Sequence, residues 1–263
     1  MAGKRRMNLH FLGTAGYHPS DRRQTSCLFL PDAGIVLDAG TGLYRATPLV
    51  KSDTVHIFLS HAHLDHTFGL TCLLDIVAKS MLRKVFVYAE QEKIDAIRTG
   101  LLHPLMFPAE LPIHWIPLES LRDATTVIGK ATIRWFPLVH PGGSIGYRID
   151  WQTLSIAYVT DTTAQSDSAY WDVVRGVDWL IHECNFSDKE SKFAKKTGHS
   201  WTSEVLQGAK QAGVQNLVLT HLQPVSESDD PLDLTQVLSK HTTIGPDQIM
   251  VAEDQLCIDL NSK

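Results

Sequence analysis

Thr54-Val55-His56-Ile57-Phe58-Leu59-Ser60-His61-Ala62-His63-Leu64-Asp65-His66 is the stretch that decides how this chain folds. Thr54–Leu59 is β-branched and apolar apart from His56, the composition of a buried strand. It runs straight into four groups that can hold a cation, His61, His63, Asp65 and His66, within six residues. With 13 histidines among 263 residues, that pattern is expected by chance about once in four hundred such chains. A lone histidine is more often a surface or hydrogen-bonded core residue; this cluster outweighs that account. At a strand end, residues i and i+2 point the same way. His61 and His63 can therefore pinch one ion, while Asp65 and His66, at the turn into the next helix, face a second position.

Two ligands do not complete a site, because a catalytic metal takes about three and keeps a position open for water. Three further candidates sit at or just past the ends of apolar strands: His140 at the close of Val127–His140, Asp161 after Ser155–Val159, and His221 after Leu217–Thr220. Strand ends on one sheet edge converge, and sites are built there. Asp161 has two carboxylate oxygens and is the natural bridge. One metal is then expected among His61, His63, His140 and Asp161, and the other among Asp65, His66, Asp161 and His221. A hydroxide shared by cations about 3.5–4 Å apart would be the nucleophile. Two divalent ions are the expected cofactors. Zn2+ is favoured by the imidazoles, and Mn2+ or Fe2+ is acceptable because of the carboxylates.

The rest of the chain alternates short strands and helices without a repeat or linker, which predicts one mixed α/β domain over residues 1–263. The pattern predicts helices over Thr67–Ser80, Gln91–Leu102 and Thr202–Ala212. Val127–His140 reads as one hairpin arm, and Gln248–Ala252 with Gln255–Leu260 as a closing hairpin over Glu253-Asp254. Apolar residues make up 43% and charged residues 20%, an ordinary globular composition with no apolar run long enough for a membrane span. The net charge of −5 argues against a protein living on non-specific nucleic-acid affinity. Four scattered cysteines without C-x-x-C, and an N-terminus without a signal-like apolar core, predict reduced thiols and a cytoplasmic location.

The His61-x-His63-x-Asp65-His66 run, with an isolated His, Asp and His at later strand ends, resembles the metallo-β-lactamase superfamily. Phe11-Leu12-Gly13-Thr14, Leu37-Asp38-Ala39-Gly40, Gly146-Tyr147-Arg148, Thr160-Asp161-Thr162, His182-Glu183, Gly198-His199-Ser200 and Leu219-Thr220-His221 are similar, in order, to its ribonuclease Z-like branch. The resemblance implies a four-layer αββα sandwich of two mixed sheets, and a hydrolase. It implies that His199 is a general acid for the leaving oxygen and Glu183 its tautomer-setting partner, that Asp65 belongs to the catalytic set, and that Asp38 orients a ligand from behind. Relatives often pair, so a homodimer is expected. The other histidines, His10, His18, His56, His103, His114, His182 and His241, read as structural.

The branch's long basic arm for transfer RNA has no room between Arg148 and Thr160, and an acidic stretch (Glu227, Asp229, Asp230) follows His221. Lys189, Lys192, Lys195 and Lys196 crowd the approach to His199; a solvated loop explains them better than an anion-attracting face. The expectation is a dinuclear phosphodiesterase acting on a small phosphodiester, such as a cyclic phosphate, or on a flexible nucleic acid. The alternatives are a ribonuclease Z-type 3′-processing endonuclease, a hydrolase of a thioester, lactone or β-lactam, and a non-enzymatic metal-binding redox or sensor protein.

Overall fold

Six strands open the chain: β1 (Asn8–Gly13), β2 (Cys27–Leu30), β3 (Ile35–Leu37), β4 (Thr54–Phe58), β5 (Lys84–Ala89) and β6 (Ile113–Pro117). Each carries the apolar or β-branched residues that suit a pleated, buried surface. The computed structural model describes residues 7–226, 228–240, 246 and 248–261, so Glu227 and His241 lie outside the described residues. It divides into two compact units, one of Met1–Thr14, Asp21–Asp123 and Glu253–Lys263, the other of Ala15–Ser20 and Ala124–Ala252.

The first unit holds a seven-stranded sheet in which β1 to β6 lie in chain order and β14 (Cys257–Asp259) pairs on the outer side of β1. Pairing is antiparallel from β14 to β3 and parallel from β3 to β6. After α1 (Leu64–Thr67), Leu12, Phe29, Val36, Ile57, Val85 and Val87 pack with Leu70 of the 3-10 stretch Phe68–Cys72, Leu73 and Ile76 of α2 (Leu73–Lys79), and Ile94 and Ile97 of α3 (Gln91–Thr99). The helix expected over Thr67–Ser80 is broken by a 3-10 stretch, Phe68–Cys72. Gly69 explains the break: its N–H donates to Ala39 O at 2.7 Å, and a Cβ there would stand 2.0 Å from Gly40 O. The chain is drawn against the strand-end loop that carries Asp38.

The second unit repeats the mixed plan, antiparallel pairs first and parallel pairs after. β7 (Thr125–Ile128), β8 (Ala131–Leu138), β9 (Ser144–Trp151) and β10 (Leu154–Val159) are antiparallel. β10, β11 (Trp179–Glu183), β12 (Asn216–Thr220) and β13 (Gln248–Val251) are parallel. The hairpin arm expected over Val127–His140 turns at Gly129, whose φ of +59° suits glycine, so it is two strands. Its helices are α4 (Tyr170–Val173), α5 (Ser191–Thr197), α6 (Thr202–Gln211) and α7 (Leu234–Lys240). α6 buries Val205, Leu206 and Ala209 on one stripe, and Gly208 lets the Trp171 ring approach within 2.1 Å of where a Cβ would stand.

The closing hairpin is a correction. β13 pairs with β12 and β14 with β1, so the two segments belong to different sheets. The turn between them serves charge pairing instead. Arg23, nearly buried, reaches Glu253 at 2.7 Å, Arg45 binds Asp254, and Thr14 donates to Asp254 at 2.7 Å. No helix among the described residues is long and apolar enough to cross a membrane.

Candidate metal-binding and catalytic clusters

In the first unit, the parallel strands β3 and β4 deliver their C-terminal ends side by side, where open α/β sheets place ligands. Asp38 follows β3, fully buried, with a left-handed φ of 57° that aspartate tolerates better than most residues. Its Oδ1 accepts the Ser60 N–H at 2.7 Å, and its Oδ2 accepts the Ser60 hydroxyl at 2.9 Å. Oδ2 also lies 2.7 Å from His66 Nδ1. The carboxylate makes Nδ1 the donor and turns Nε2 toward Asp65 Oδ2, at 3.4 Å. His61 and His63 converge as their spacing predicts, His61 Nε2 standing 2.9 Å from His63 Nδ1.

In the second unit the donors come from separate places in the chain. His140, past β8, turns Nδ1 to Gly198 O at 3.0 Å and Nε2 to Asp161 Oδ2 at 3.4 Å. His221, past β12, faces Asp161 Oδ1 through Nε2 at 3.1 Å. Each oxygen of Asp161 therefore meets a different imidazole. Two ligands bonded at 2.0–2.1 Å to one tetrahedral ion sit about 3.3 Å apart. The His61–His63, His140–Asp161 and His221–Asp161 spacings all lie near that value, so the donor set fits divalent cations in both spacing and chemistry.

Glu183 closes β11 and is fully buried, so it is not a surface acid. Its Oε1 accepts from the Thr162 N–H at 3.0 Å and the Ser200 N–H at 3.2 Å, and its Oε2 from the Asn185 N–H at 3.1 Å. The same Oε1 stands 3.1 Å from His199 Nδ1. That contact fixes a proton on Nδ1. The His199 ring stacks on His221 with centroids 5.4 Å apart and lies 5.0 Å from the His140 ring.

Of the histidines read as structural, His182 is the informative one. It is fully buried, accepts from the Tyr170 hydroxyl at 2.9 Å, gives its Nδ1–H to Glu183 O at 2.6 Å and stacks on Trp171. Burial pushes its pKa down, with Glu183 opposing.

Sequence reasoning missed the residues that hold these donors in place. Ser60 ties Asp38 to His61, with its Oγ 3.0 Å from His61 Nδ1. The Asn185 amide donates to His221 O at 2.9 Å. Gly16 lies where a Cβ would stand 2.3 Å from the His221 ring. Only Gly16 left a trace in the sequence, as the glycine closing Gly13-Thr14-Ala15-Gly16.

Residues 34–222 match the model of the family described as "Beta-lactamase superfamily domain", and the chain belongs to that superfamily. Ribonuclease Z of Synechococcus sp. (strain WH7803) is 26% identical over an alignment covering 97% of this chain and 96% of that protein. Among solved structures, the metallo-beta-lactamase fold protein YhfI from Bacillus subtilis superposes with a TM-score of 0.78 at 21% identity, covering 96% of this chain and 99% of that one. Human tRNase Z, short form, gives 0.74 at 23% identity, covering 97% and 100%. The αββα fold class and the ribonuclease Z-like resemblance read from the sequence hold. The chain is a metal-dependent hydrolase similar to ribonuclease Z. The two-residue link Gln152-Thr153 between β9 and β10 leaves no place for an arm there.

Proposed function

We propose that the chain is a single hydrolase domain, working in the cytoplasm, that cleaves phosphodiesters with two divalent ions. His61, His63, His140 and Asp161 would hold one ion, and Asp65, His66, Asp161 and His221 the other, with zinc favoured by the imidazoles. When bound, such ions supply Lewis acidity toward non-bridging oxygens and make water a competent nucleophile near neutral pH. The protein's own groups do the rest. Asp38 holds the His66 tautomer, the Gly198 carbonyl holds that of His140, and His199, as an imidazolium whose Nδ1–H is held by Glu183, gives its Nε2 proton to the departing oxygen and is left neutral.

The buried Glu183 buttressing His199 is the observation that carries this function. A departing alkoxide needs a proton donor held at a fixed angle, and a metal-binding sensor has no use for one. The endonuclease function is favoured by the relatives named ribonuclease Z, which would make transfer RNA a substrate, gripped by a partner copy in place of the arm.

Purified protein supplied with Zn2+ or Mn2+ should turn over bis(4-nitrophenyl) phosphate and leave a chromogenic β-lactam and a thioester intact. Cleavage of precursor transfer RNA at its 3′ end would establish the endonuclease. His199→Ala should keep the metal content, by elemental analysis, and lose about 10²–10⁴-fold in kcat. Undiminished phosphodiester turnover in that variant would remove the proton-donor role.

A further inference from the structure

In the second unit, the chain passes the His221 loop through a tight corner. Ala15 bridges Leu222, and the Gly16 N–H donates to Leu222 O at 2.9 Å. The His18 N–H then reaches back to Gly16 O at 2.8 Å, with Tyr17 between them at a φ of 64°. This is a γ-turn of the rare positive-φ kind, a strained conformation for a residue with a side chain. The corner abuts the donor cluster, since Gly16 leaves no room for a Cβ beside the His221 ring. Tyr17 departs from the chain one residue further on.

Folding gains little from a tyrosine there. Tyr17 is 80% exposed, its ring edge-on to His18 with centroids 4.8 Å apart, so burial offsets little of the strain. Glycine would take the same corner without steric cost. A strained backbone that carries an exposed aromatic ring beside a donor cluster points to a ligand for that ring.

The large apolar side chains that this unit leaves exposed gather about the same cluster. Val139, 73% exposed, directly precedes His140, and its N–H donates at 3.3 Å to the hydroxyl of Thr162, the residue after Asp161. Val225, 69% exposed, lies in the turn that follows Leu222. Phe193 is exposed too, and its ring meets that of Phe186, which lies 6.2 Å from the His199 ring. Among the described residues of this unit, Val127 on the edge strand β7 is the exception. Apolar residues scattered singly over a surface are ordinary, but their concentration beside one cluster marks a ligand surface. Such a rim offers nothing to a bare phosphate and a dry contact to an ester group of low polarity.

We propose that Tyr17 is a specificity-determining residue, whose ring packs with Val139 and Val225 against an apolar ester group that stays on phosphorus when the diester is cleaved. The departing side is served by His199. The inference rests on the phosphodiesterase function proposed above and narrows its substrates to diesters that carry an aryl or alkyl group.

The test compares phenyl 4-nitrophenyl phosphate with methyl 4-nitrophenyl phosphate, which share a leaving group, with Mn2+ or Zn2+ supplied. Tyr17→Gly should lower kcat/KM on the phenyl ester about ten-fold more than on the methyl ester, and Tyr17→Phe, which keeps the ring, should behave as the wild type. The melting midpoint of Tyr17→Gly should be no lower than that of the wild type, because the corner is relaxed and little burial is lost. Equal losses on the two esters, or a lowered midpoint, would overturn the assignment. Calorimetry with phenyl phosphate and methyl phosphate separates the two claims. Phenyl phosphate should bind the metal-supplied wild type about ten-fold more tightly, and Tyr17→Gly should erase the difference. That result supports the role of Tyr17 even where the wild type hydrolyses no phosphodiester, a finding that would defeat the proposed function alone. Equal binding of the two monoesters, or none at millimolar concentration, would overturn the role of Tyr17.

Discussion

The two units gather their donors in opposite ways. In the first, His61, His63, Asp65 and His66 arrive on one run of chain after β4, and buried Asp38, from the neighbouring strand end, steadies His66 directly and His61 through Ser60. In the second, His140, Asp161, Glu183, His199 and His221 come from five points spread over some eighty residues, and only the order of the sheet brings them together. The first cluster is a local motif, robust wherever β4 lands. The second depends on topology, and its members are held by backbone amides and carbonyls rather than by one another's sequence spacing.

That difference can be broken by substitution. Under the proposed two-ion arrangement, Asp161→Ala removes a ligand shared by both ions, whereas His63→Ala removes one ligand from one ion. Elemental analysis should find Asp161→Ala stripped of most metal and without turnover, and His63→Ala retaining at least one ion per chain. Equal metal loss in the two variants would end the bridging role of Asp161.

A smaller effect tests how firmly each cluster is walled. A Cβ at Gly40 in the first unit would stand 2.3 Å from Asp65 O and 2.7 Å from Ser26 O, both backbone atoms that cannot yield. At Gly16 in the second unit it would meet the His221 ring and the Asn185 amide, side chains that can swing. Overpacking costs about 1–3 kcal/mol. Gly40→Ala should fall at the upper end by thermal melting, and Gly16→Ala lower, with a larger loss of metal affinity because His221 moves.

The smallest effect is a pH dependence behind the second cluster. Burial holds the folded-state pKa of His182 below its ordinary value of 6.5. Between those two values the unfolded chain binds the extra proton, so its contribution to stability is present above about pH 6.5 and declines as pH falls below it. His182→Asn, which keeps a neutral donor and acceptor, should flatten the wild-type decline in urea midpoints between pH 7 and pH 5. An unchanged slope would show that His182 does not titrate with unfolding.

The same contrast explains what the sequence could reveal. The His61–His66 run was legible because its geometry follows from residue spacing alone. His140, Asp161 and His221 were legible through a weaker regularity, each closing or just following an apolar strand. Asn185, Ser60 and Gly16 were not, since an amide, a hydroxyl and a missing Cβ gain meaning only once strands from distant segments stand side by side. The misread closing hairpin has a related cause. Glu253 and Asp254 resemble turn residues, yet they sit there as partners for Arg22, Arg23 and Arg45. The flanking strands then take partners that no local pattern announces.

Asp38, Asp161 and His221 share one more property, positive φ angles of 57°, 49° and 57°, a conformation that side-chain-bearing residues enter reluctantly. Glycine at any of these corners would relax the backbone, but at Asp38 it would also leave the buried Ser60 N–H and hydroxyl without their acceptor. Under the proposed function, each such change removes a group assigned to the ions or to their support.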